Sequence, residues 1–170
     1  MRIDTSFAMV VLRRFLVIMA LLFWQGGFLF YSSVVVPIGQ RVLASPKDQG
    51  FITQQVTDYM NLAGAIALAI LLADLFLSPD PHAWVSWIRR FSWLVMFLAL
   101  LAIAWWHVQL DDLLDFENKD VLDRKAFQTG HRWYLWLCTV QWFFGLVYLW
   151  LTLWSWRALD QREYKRGLQN

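Results

Sequence analysis

FLVIMALLFWQGGFLFYSSVVVP, from Phe15 to Pro37, decides the fold. A helix needs about 20 mostly apolar residues, at 1.5 Å rise each, to cross the hydrocarbon core of a bilayer. This stretch is long enough and carries no charged residue. Three more apolar runs follow, at about 59–77, 91–110 and 131–156. In lipid every backbone polar group must be bonded internally, which leaves helices or a closed barrel. Barrel strands would alternate in polarity, and these runs do not. The reading is all-α: an integral membrane four-helix bundle, one membrane domain over residues 1–170, with outer links at 38–58 and 111–130. A short inner link, SPDPHAWVSW, runs from Ser78 to Trp87.

Composition supports this reading. Hydrophobic residues make up 59% of the chain and charged residues 16%, against about 45–50% and 25% in soluble domains. The surplus cannot be hidden in one core of this size. Twelve tryptophans suit the two membrane–water interfaces. A net charge of +2 sets up no field for a polyanion, so nucleic acid is excluded as a partner and the lipid bilayer is expected. Cys138, the single cysteine, falls in the fourth helix and rules out an intrachain disulfide.

Lysine and arginine near the helix ends give the orientation. Arg2, Arg13, Arg14, Arg89, Arg90, Arg157, Arg162, Lys165 and Arg166 fall on one side; Arg41, Lys47, Lys119, Arg124, Lys125 and Arg132 fall on the other. Both termini are therefore expected in the cytoplasm, and the membrane is expected to be a bacterial inner membrane or its equivalent. The outer side also collects acid, including Asp111, Asp112, Asp115, Glu117, Asp120 and Asp123. Arg13 and Arg14 superficially resemble a twin-arginine signal, but no small-x-small cleavage site follows, so they read as an anchor. In the second outer link Leu114, Val121, Leu122 and Phe127 fit either a surface helix or a solvated loop.

Helices in lipid associate through small residues and a few polar contacts. Asn61, Ala65, Ala69 and Ala73 recur every four residues beside Gly64, and Gly26 and Gly27 lie mid-way along the first helix. These two helices are expected to pack closely. The stripe serves either as that seam or as an interface with another chain.

Polar residues inside a membrane are site candidates by default. His107 and His131 fall at similar depth on neighbouring helices, the residue type that ligates haem b axially or holds copper; the alternative is interfacial histidines bonded to backbone, water or nearby side chains. Asp74 is expected to pair with Arg89, Arg90 or Arg157. Gln25 and Gln141 lie deep enough to bond across the bundle. Asp111, Asp112 and Asp115 spell DDxxD, a magnesium-holding pattern, and otherwise read as a solvated acidic helix end.

Three segments, WQGGFLFYSSVVVP (Trp24 to Pro37), FITQQVTDYMNLAGA (Phe51 to Ala65) and RKAFQTGHRWY (Arg124 to Tyr134), carry a resemblance. The chain resembles the small four-helix membrane family of unknown function that includes transmembrane protein 205. The resemblance implies a four-helix topology and no established reaction. It highlights Gly27, Pro37, Asn61, Phe127 and His131.

The sequence thus leads to a non-catalytic membrane protein, an accessory or scaffold subunit contacting other membrane subunits or itself. The alternatives are a haem- or copper-binding protein using His107 and His131, and a small oligomeric solute or ion conduit.

Overall fold

The computed structural model describes residues 5–43, 45–78, 80–115 and 120–169. Arg2, Glu117, Lys119 and the side chain of Lys47 lie outside what is described. The first of four long helical stretches, each called a crossing for its length and apolarity, is a continuous rod: α1 (Thr5–Leu21), a π turn (Leu22–Gly26), α2 (Gly27–Phe30), a second π turn (Tyr31–Val35) and α3 (Val36–Val42). Then come α4 (Pro46–Leu77), α5 (Ala83–Asp111), a minute hairpin of β1 (Leu114–Asp115) and β2 (Asp120–Val121), and α6 (Arg124–Gly167). All four long helices are apolar and long enough to cross a membrane.

Between 17% and 33% of each helix's most apolar stretch is buried within the bundle. The remainder faces outward, including Phe23, Leu62, Phe76, Trp105, Trp136 and Trp150. Water would penalise such a mantle heavily, and lipid accepts it.

The helices overrun the stretches expected from hydropathy, for local reasons. The link expected over 38–58 is mostly helix, since α3 reaches Val42 and α4 begins at Pro46. Proline suits a first helical turn, and glycines such as Gly39 and Gly50 cost a helix only about 1 kcal/mol each. Pro37 does not end the first crossing. It cannot donate to the preceding turn, but the second π turn absorbs the mismatch just before it, and Ser32 and Ser33 donate their hydroxyls to the Leu29 carbonyl at 3.2 and 2.5 Å. The link expected over 111–130 ends early because Asp123 caps α6, its Oδ1 accepting from the Lys125 and Ala126 N–H groups at 2.9 and 3.0 Å. In place of a surface helix or plain loop, Leu114 pairs with Val121 and Asp115 with Asp120.

Helix α5 packs most extensively on α6, and α4 bridges the rod and α5. Val17, Leu21, Trp24, Leu71, Met96 and Tyr148 meet in the shared core. The rod and α4 do pack closely, but not along the expected stripe. Ala65, Ala69 and Ala73 are exposed, while Gly64, Ala67, Leu68, Leu71 and Leu75 are buried. The reason is helical phase: at about 100° per residue, the i, i+3, i+4, i+7 set from Gly64 shares one side, and the alanines fall roughly opposite. Gly64 provides the close approach, since a Cβ there would lie 2.8 Å from Trp24 Nε1. Gly27 faces Met60 with ordinary clearance, and Gly26 has open space.

Candidate functional site

Two polar clusters sit at opposite ends of the bundle, with a small cavity between them. At the end where α1 begins and α6 finishes, Arg89 on α5 is fully buried and reaches three partners. Its Nη2 donates to Asp74 Oδ2 of α4 at 2.6 Å and to the Tyr148 hydroxyl of α6 at 3.2 Å, and its Nη1 donates to Asp80 Oδ1 at 2.6 Å. The guanidinium also stacks 5.1 Å from the Tyr148 ring. Arg13 of the rod approaches the second oxygen of Asp74 at 3.2 Å and donates to the Leu77 carbonyl at 2.8 Å. Tyr148 donates onward to the Leu71 carbonyl, and Ser155 donates to Asp80. Two arginines and two aspartates thus neutralise one another while tying all four crossings together. Burying charge this deeply is tolerable only with such pairing.

Just outside this knot Arg14 forks onto Asp160, at 2.9 and 2.6 Å, and lies over Trp156. That contact places the first part of α1 and the last part of α6 at the same end of the bundle. The hydrogen bond from Arg14 holds the Asp160 carboxyl below its ordinary range.

At the hairpin end His107 Nε2 lies 2.8 Å from Asp58 Oδ1 and 3.6 Å from Asp111 Oδ2. Gln54 donates to Asp111 at 3.1 Å. Beyond it, Gln49 donates to Thr53 and Tyr31, and Gly39 leaves the space that the Gln49 carboxamide fills. The DDxxD residues therefore separate: Asp111 faces α4, and Asp115 belongs to β1.

His131 has different neighbours from His107. Its ring stacks between Phe127 and Tyr134, with centroids 6.0 and 6.2 Å away, in a ladder along α6. Among the described residues no three His, Cys, Asp or Glu side chains gather as a metal-holding group. The structure does gather other predicted residues. Gln25, Asn61 and Gln141, from three different crossings, line one central cavity with Tyr134 and Cys138.

Asp58, Asp80, Tyr148 and Arg13 were not singled out by sequence reading as members of these clusters. Asp58 had been assigned to a link; with α4 extended it stands one turn beyond Asn61, and that spacing was a usable signal. Arg13 read as an anchor, with nothing to show that it folds back onto Asp74. No family model, curated protein or solved structure matches the chain.

Proposed function

We propose that this chain is a non-catalytic, multi-pass membrane protein acting as an accessory or scaffold subunit, through helix contacts with another membrane protein or a second copy of itself. The outward face of α4 carries the reading. Ala65, Ala69 and Ala73 form a shallow ridge turned away from the chain's own bundle, flanked by exposed Leu62 and Ile66. Small residues let helix backbones approach closely in lipid, where packing replaces the hydrophobic effect as the driving force. The sequence left the stripe as seam or external interface, and its outward direction favours the second.

A bacterial inner membrane or equivalent with both termini cytoplasmic follows from the lysine and arginine bias. The Arg14–Asp160 contact supports it by keeping the two ends together. The resemblance to the four-helix family containing transmembrane protein 205 supports the same topology. Haem or copper ligation by His107 and His131 has weaker support, because Asp58 holds the His107 ring nitrogen and His131 is stacked in its own helix.

Purification in mild detergent of the wild type and of Ala69→Leu tests the proposal. The wild type is expected to retain a partner subunit or self-associate, and the variant to lose it at unchanged thermal stability. A wild-type chain that runs alone as a monomer overturns the reading.

A further inference from the structure

The centre of the bundle holds a cavity of ≈ 20 Å³ where all four crossings meet. About 10–15 Å³ admits one water molecule. Gln25 of the rod, Asn61 of α4 and Gln141 and Tyr134 of α6 form its polar wall. Gln141 donates to the Met96 carbonyl at 3.2 Å. Gln25 and Asn61 have no hydrogen-bond partner among the described residues. Amides left unpaired in an apolar medium are costly, and small polar cavities hold water where apolar ones stay dry.

The wall is built around these carboxamides. Gln25 lies in the π turn Leu22–Gly26, a rare geometry that recurs at functional positions. Gly145 on α6 makes room for it: a Cβ at position 145 would stand 3.1 Å from the Gln25 carboxamide carbon and nitrogen.

We infer that this four-helix junction is a binding site for one water molecule, held by the carboxamides of Gln25, Asn61 and Gln141. Toward the terminal end Leu71, Met96 and Leu100 close the interior.

Cys138, the single cysteine, lines this cavity and serves as a native reporter. Its S–H stretch lies in an infrared window free of other protein bands. On transfer of the intact protein in nanodiscs to heavy water, S–H is expected to become S–D at least roughly tenfold faster than the surrounding α6 backbone amides exchange, since the thiol needs no helix opening. Exchange no faster than those amides overturns the inference. In a second measurement, Gln25 side-chain amide protons are expected to show a nuclear Overhauser contact to a long-lived water in the wild type and to lose it in Asn61→Leu. Absence of the contact in the wild type, or its persistence in a folded Asn61→Leu, overturns the inference.

Discussion

Arg89 and Asp74 meet at 2.6 Å with both side chains fully buried, joining α5 to α4 at a depth where neither charge would survive alone. Asp80 and Arg13 complete the neutralisation. Such a cluster makes the helices answer to one register, because any slip leaves a bare charge in an apolar medium.

Breaking the cluster on one side is expected to be expensive. Arg89→Met leaves the buried Asp80 without its cation and Asp74 with Arg13 alone, and should cost about 3–5 kcal/mol. The double variant Arg89→Met, Asp74→Leu should lose less than the two single losses combined, because it removes a charge with its partner. Reversible unfolding in mixed micelles measures both, and strict additivity would show that the two residues do not act together.

Gly64 and Gly26 are expected to respond oppositely to alanine. At Gly64 the new methyl would lie 2.8 Å from Trp24 Nε1, forcing the indole aside at a cost of about 1–3 kcal/mol. At Gly26 it meets nothing within 4 Å, so better helix propensity gives a neutral or slightly stabilising change, up to about 1 kcal/mol. Thermal denaturation of the two variants, with tryptophan emission as a second probe at Gly64→Ala, decides.

The Arg14–Asp160 pair is expected to make stability fall on acidification. Its hydrogen bond depresses the folded-state pKa of Asp160, so the contribution is full above the ordinary carboxylate range and fades as pH drops through the folded value. Asp160 is about half exposed, with its side chain at 54%, and the pair is therefore worth under about 1 kcal/mol. Asp160→Asn should be slightly less stable than the wild type at neutral pH and equal to it in strong acid. A gap that persists in acid would assign the effect to packing.

Haem supplementation of the purified protein is expected to leave no Soret band, and copper loading no ion retained through His131. Asp58 already engages His107, and Phe127 and Tyr134 flank His131. A Soret band abolished by both His107→Ala and His131→Ala would reinstate the ligand pair.

Long uncharged runs such as Phe15–Pro37 made the four long apolar helices legible in the sequence, because a small chain cannot hide that much apolar surface in a core of its own. That Asp74 pairs with an arginine was legible too, as a buried carboxylate needs a nearby cation; the choice of Arg89 over Arg90 and Arg157, and the approach of Arg13, came only with the structure. The ends of the helices were less so. Hydropathy reports where lipid lies, whereas α4 and α6 continue into polar segments that hydropathy scores as links.

By itself, then, the sequence determined the helical class and the four long stretches apolar enough to cross a membrane, since these depend on sums over many residues. Only the tertiary structure decided that Ala65, Ala69 and Ala73 face outward, that Arg13 returns to Asp74, and that Gln25, Asn61 and Gln141 converge. Those outcomes depend on the rotation of each helix about its own axis. Close contacts such as Trp24 on Gly64 and Gln25 on Gly145 set that rotation, and they exist only once the helices have met.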